Sequence, residues 1–240
     1  MIYDKDYYED LAITILEHYI PDKFYSMMKG ECPDWYNDKI GLEVTRALSQ
    51  NEGDFDGFIK ESMHHYYSDL SQKRLVKLGF VEEPTSRDGI LYEQYSKDNG
   101  KLYYIKEKSS GELLLKGTTG GFGLFTDCAK AVGYALETKL KKLRKYTPKA
   151  INDLAILVQD QLNTIVLQEE IVSEVAQAIL DEAKRVYLEF SERRFDNIYV
   201  IFYDNIICID TKTFEYQRIV IPNEEYPVLT ANAKTRRQGN

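Results

Sequence analysis

The sequence predicts an α/β fold, a mixed central sheet flanked by helices, and three observations predict it. The run Leu154-Ala155-Ile156-Leu157-Val158 is apolar without interruption and of strand length, as expected of a strand covered on both faces. Residues 5–20 and 172–190 carry apolar side chains at helical spacing. Ile40 to Thr45 alternates between apolar and polar residues, as a half-buried strand does.

In chain order, Leu11, Ile15, Leu16 and Tyr19 define the first helix, and Pro21 ends it. Pro33-Asp34-Trp35-Tyr36, the polar turn Asn37-Asp38-Lys39 and Ile40 to Thr45 then read as a hairpin. Residues 49–125 have a different texture and read as an insertion of helix and short strands. Phe55 to Phe80 is helical there, with the cluster Met63-His64-His65-Tyr66-Tyr67. Lys101 to Ile105 and Glu112 to Lys116 are strands around Ser109-Ser110-Gly111, and the Gly-rich stretch Gly117 to Gly123 closes the region. A helix follows from Thr126 to Tyr146, which Pro148 keeps from continuing. After the strand 154–158, the stripe Val172, Val175, Ala176, Ile179, Leu180, Ala183, Val186 and Phe190 marks the clearest helix. Ile198 to Tyr203 and Ile206 to Ile209 flank Asp204-Asn205, a two-residue hairpin turn, and Gln217 to Ile221 adds a last strand. The expected organisation is a core of 1–48 and 126–230, the insertion 49–125, and a flexible tail 231–240 with little to bury.

Composition narrows the function classes. Of 240 residues, 43% are hydrophobic and 29% charged, an ordinary globular mixture. No secretory leader is read at the first residues, and the longest apolar runs are too short to cross a bilayer, so no membrane partner is expected. Cys32, Cys128 and Cys208 are odd in number and form no C-x-x-C pair, which disfavours a disulfide framework or a zinc site and fits a cytoplasmic location. The net charge is −8, yet Cys128 to Lys149 holds Lys130, Lys139, Lys141, Lys142, Arg144, Lys145 and Lys149 against the single acid Glu137. A basic helix of this kind can hold a phosphate backbone, with Lys139, Lys142 and Lys145 as its contacts, or be simply a solvated face.

Two carboxylates carry the chemistry. Asp34 follows a proline, and Glu43 lies between Leu42 and Val44, where a charge is costly unless it is solvated, paired or bound to a metal. Pairing of 33–36 with 40–45 brings both to neighbouring positions. Close carboxylates repel unless a cation neutralises them, and Mg²⁺ takes one or two carboxylates while keeping several waters. In the bland alternative, Asp34 caps a turn and Glu43 pairs with a nearby lysine.

Pro33-Asp34, eight intervening residues and Glu43-Val44-Thr45 resemble the signature of the PD-(D/E)XK nucleases. The order helix, hairpin, helix, strand resembles that superfamily as well, and the resemblance covers about half the chain. It implies a restriction-endonuclease-like core and a Mg²⁺- or Mn²⁺-dependent phosphodiester-cleaving site with Asp34, Glu43 and Thr45 at its centre. The metal would be held by Asp34, Glu43 and a first-helix acid, Glu9 in preference to Glu17. Thr45 departs from the pattern, because the superfamily has lysine there and a hydroxyl supplies no positive charge. Lys139, Lys142 and Arg46 are the cations that neighbouring elements offer instead. Otherwise the fold is degenerate and binds nucleic acid or protein without cutting. A homodimer is the other partnership the sequence admits. Adjacent His64 and His65 point about 100° apart on a helix and do not easily share an ion. The Gly117 to Gly123 stretch lacks a Walker lysine.

Overall fold

Leu154 to Val158 are all fully buried, because this run is the middle of a strand with a parallel neighbour on each side and helices over both faces. A computed structural model describes residues 5–47, 81–87, 90–97, 102–107, 113–117, 125–143, 151–160, 163–164, 169–190 and 194–238. The chain divides into two compact units, 1–48 with 124–240, and 49–123.

The first unit holds a mixed open sheet. Its strands are β1 (Met28–Lys29), β2 (Trp35–Tyr36), β3 (Ile40–Ala47), β8 (Ile151–Asp160), β10 (Asn197–Ile201), β11 (Asn205–Asp210) and β12 (Glu215–Val220), in that spatial order. A two-residue strand, β9 (Asn163–Thr164), pairs with β8. β3, β8 and β10 are parallel, with Glu43 beside Leu154 and Leu154 beside Ile198, and the remaining pairs are antiparallel.

Alternation along β3 sends Ile40, Leu42 and Val44 to one face, where they join Ala155, Leu157, Tyr199 and Ile201. Helix α1 (Lys5–Tyr19) covers that face with Leu11, Ala12, Ile15 and Leu16, followed by the short α2 (Pro21–Phe24). Pro21 therefore opens a second helix as well as closing the first, a position where its missing N–H costs nothing. The other face carries α3 (Phe125–Leu143), which packs on β3 and β8 and lies alongside α4 (Val172–Glu189). Truncating Leu157 to Ala in the central strand should lower stability by about 2–5 kcal/mol. A urea midpoint unchanged from wild type would mean that the strand is not the buried centre.

Three expectations are corrected. The tail beyond residue 230 is ordered through Gln238 in helix α5 (Glu225–Gln238). Tyr226, Leu229 and Ala233 face the α1 core, and Arg236 makes a bidentate pair with Glu17 at 2.7 and 2.9 Å. An alanine as the buried residue leaves almost no apolar stripe to read. The turn between β10 and β11 is Tyr203-Asp204, one residue earlier than expected. Phe202 N donates to Asn205 O at 2.7 Å, and the buried Asn205 side chain accepts from Arg218 at 2.6 Å. Finally, Tyr187 is on the buried stripe of α4, whereas Phe190 ends the helix and is only partly covered.

The second unit has an antiparallel four-stranded sheet of β4 (Val81–Arg87), β5 (Ile90–Lys97), β6 (Leu102–Glu107) and β7 (Leu113–Gly117). The expected strands around Ser109 to Gly111 are β6 and β7, whereas β4 and β5 are additional to the expectation. The expected Phe55 to Phe80 helix with His64 and His65, the stretch 118–123, and Lys145 lie outside the described residues.

Candidate functional site

The hairpin places Asp34 against the middle of β3. Its ladder pairs only Trp35 with Leu42 and Tyr36 with Gly41, so the N–H of Val44 lies beyond it. Asp34 Oδ2 accepts that N–H at 2.8 Å, and the Asp34 backbone carbonyl accepts from Gly30 N at 2.9 Å. The carboxylate is thus built into the sheet edge, buried, with both its backbone and its side chain fixed. Gly30 permits this approach: a Cβ there would stand 2.6 Å from the Pro33 carbonyl oxygen and 3.0 Å from the Tyr36 ring. Gly30→Ala should therefore cost about 1–3 kcal/mol through displacement of the Asp34 turn. Unchanged thermal stability and an unchanged Val44 amide resonance would count against that account.

Glu43 points to the α3 face, where its neighbours across the sheet are Leu154 and Ile198. Lys139 reaches down from α3 to meet it, with Nζ 2.6 Å from Glu43 Oε1 and 3.8 Å from Asp34 Oδ2. Lys139 falls on the buried stripe of its helix, with Val132, Leu136, Leu140 and Leu143. As a contact on the exposed basic face it is therefore corrected, because its ammonium is turned inward on two carboxylates. Lys142 is exposed, and Lys141 is engaged with Glu137.

Burial pushes the Glu43 carboxyl up to about 7; Lys139 opposes the rise and the nearby Asp34 charge adds to it. Glu43 Oε2 is buried and receives no hydrogen bond from the described residues. The carboxyl should titrate near 7 in the metal-free protein, far above an ordinary glutamate, followed by its side-chain carbon resonance. The folded-state value exceeds the unfolded one, so this group favours folding most below about 4.5 and loses that contribution as pH rises through about 7. A midpoint near 4.5 would contradict the buried geometry.

The remaining candidates separate. Thr45 lies one pleat beyond Glu43 on the same face of β3, half-buried. Arg46 is on the opposite face, stacked 4.4 Å over the Tyr8 ring, so of the three alternative cations Lys139 is the one brought to the carboxylates. Glu17 is paired with Arg236. Glu9 and its neighbour Asp10 are buried, with Lys29 Nζ 3.8 and 3.7 Å from them and 3.4 Å from Asp6. The described residues contain no group of three His, Cys, Asp or Glu side chains placed to hold a metal ion. Glu9 is therefore not assembled with Asp34 and Glu43 into one ligand set. Asp10 and Lys29 were not legible in sequence, since nothing in the spacing distinguishes Asp10 from an exposed helix acid.

Another buried carboxylate provides a contrast. Asp153 faces the α1 side, receives Lys23 Nζ at 2.8 Å and Asn197 Nδ2 at 2.8 Å, and has the Tyr199 hydroxyl at 3.5 Å. Burial raises its pKa, and Lys23 and Asn197 counter the rise. Both its oxygens are satisfied, as in a structural network. Glu43 keeps an unsatisfied oxygen beside a second carboxylate and a cation.

Comparison of the chain with protein-family models, with curated proteins and with solved structures gives no match in any of the three.

Proposed function

We propose that the chain is a metal-dependent nuclease-like protein acting on nucleic-acid phosphodiesters, with Asp34, Glu43 and Lys139 as the working groups. The observation that carries this reading is the 2.6 Å contact of Lys139 with Glu43, on a site that already holds Asp34. It supplies from α3 the positive charge that Thr45 lacks, so the departure from the nuclease pattern at Thr45 does not leave the site without a cation. The donor chemistry suits Mg²⁺ or Mn²⁺: Asp34 and Glu43 bring two hard carboxylates together, and Glu43 Oε2 is a buried acceptor without a hydrogen bond from the described residues. When bound, such an ion would polarise the phosphate and lower the pKa of an attacking water.

Within this reading, Asp34 holds its carboxylate rigidly because Val44 N–H anchors one oxygen. Glu43 presents its second oxygen from the middle of a strand, where pairing beside Leu154 of β8 fixes its backbone. Lys139 donates to developing negative charge on the phosphate, a role suited to a cation held in a largely water-excluded setting. Exposed Lys130 and Lys142 on the same helix offer a surface for the backbone of the polymer.

A degenerate site is the second reading, favoured by the completed Lys139–Glu43 pair and by the absence of a three-member ligand group among the described residues. In that case the α3 surface binds nucleic acid without cutting. Incubation of plasmid and single-stranded DNA with Mg²⁺ or Mn²⁺ tests the choice. Cutting by wild type that is lost in Asp34→Asn and Glu43→Gln supports the enzyme. DNA retention without cutting by any of the folded proteins supports the binding module.

A further inference from the structure

We infer that Lys139 is an internal competitor for the cation position, so that the site at rest is neutralised by its own lysine and accepts a divalent ion only when that ammonium leaves Glu43. The inference rests on the metal-site reading given above and concerns what occupies that site beforehand.

Lys139 Nζ lies within 4.0 Å of both carboxylates, 2.6 Å from Glu43 Oε1 and 3.8 Å from Asp34 Oδ2. A divalent ion shared by the same two residues, even one bound through Glu43 Oε2, would set further positive charge beside the ammonium in a buried setting, so the two repel and compete for the carboxylates. Glu43 is nearly fully buried, and its Oε2 has no donor among the described residues. One carboxylate oxygen is thus held by the lysine, the other receives no donated hydrogen from the described residues, and Asp34 stands within hydrogen-bonding reach of the same carboxyl. A purely structural salt bridge would be expected to satisfy both oxygens, as the Asp153 cluster on the opposite face does.

The length of the Lys139 side chain permits such an exchange. Its side chain is a flexible four-carbon stem, and the ammonium can swing toward a phosphate while its helix stays in place. The helix itself packs along its neighbour, with the Glu182 side chain of α4 lying against Gly133 of α3. Exchange therefore falls to the side chain, and one group serves first as a stand-in for the ion and then as a donor to the substrate.

The test is a Mn²⁺ titration of the whole chain by calorimetry, without nucleic acid, for wild type, Lys139→Met and Glu43→Gln. It is run at pH 8.5 so that Glu43 stays ionised after its cationic partner is removed. The expected result is Mn²⁺ binding about tenfold or more tighter in Lys139→Met than in wild type, and none in Glu43→Gln. Equal or weaker binding by Lys139→Met would overturn the competitor while leaving the metal site standing. No binding by any of the three would overturn both. Should Lys139→Met not fold, the wild-type Lys139 ammonium signal in nitrogen-detected NMR decides. Adding Mg²⁺ should shift it and speed its exchange with water, and an unmoved signal with Mg²⁺ bound would reject the exchange.

Discussion

Replacing Lys139 with Met should reduce metal-dependent cleavage by about 100- to 1000-fold, the loss typical of removing one donor from a preorganised charge-stabilising site. The fold should survive, because the substitution keeps most of the stem that packs with Leu136, Leu140 and Leu143. Glu43, deprived of the charge that holds its pKa down, should then titrate above the value of about 7 expected in wild type. The variant therefore combines a loss of turnover with a rise in a neighbouring group's titration midpoint, and a merely structural lysine would produce only the second effect. Lys139→Arg provides the control: it restores the charge but forks it, so partial recovery is expected. Cleavage unaffected by Lys139→Met would remove the lysine from the mechanism.

Asp34 is expected to separate charge from architecture. Asp34→Asn keeps a carbonyl oxygen able to accept from Val44 N, so the protein should fold normally yet lose cleavage by about 1000-fold through the missing metal-binding charge. Asp34→Ala removes the acceptor as well and leaves a buried N–H unsatisfied, adding a stability cost of about 1–3 kcal/mol. Thermal denaturation and the cleavage assay together read both. Equal stability of the two variants would show that the Val44 contact contributes little. Full activity of Asp34→Asn would exclude the residue as an anionic ligand.

These expectations converge on the edge where a two-residue strand stops short and a side chain completes the hydrogen bonding. A short β2 frees the Val44 N–H, Asp34 accepts it, and the same placement brings Asp34 within reach of the Glu43–Lys139 pair. In the proposed reading structural and chemical roles meet in one carboxylate, which is why the conservative amide variant is more informative than alanine.

Local pattern alone determined a good deal about this protein. The buried strand at 154–158, the helix at 172–189, the hairpin that joins Asp34 to β3 and the prominence of Glu43 all follow from alternation or helical spacing within one short segment of chain each. Such features are legible because one apolar face must be covered whatever covers it. Only the tertiary structure decided which of the basic residues meets Glu43. Lys139, Lys142 and Arg46 are equally plausible in a string of letters, yet α3 turns one lysine inward, and the pleat sends Arg46 to the other face. The same holds for the ordered C-terminal helix, anchored by Ala233 and by an Arg236–Glu17 pair between residues distant in sequence. A pairing across that separation leaves no periodic trace in either segment, because its energy comes from docking two elements rather than from either one.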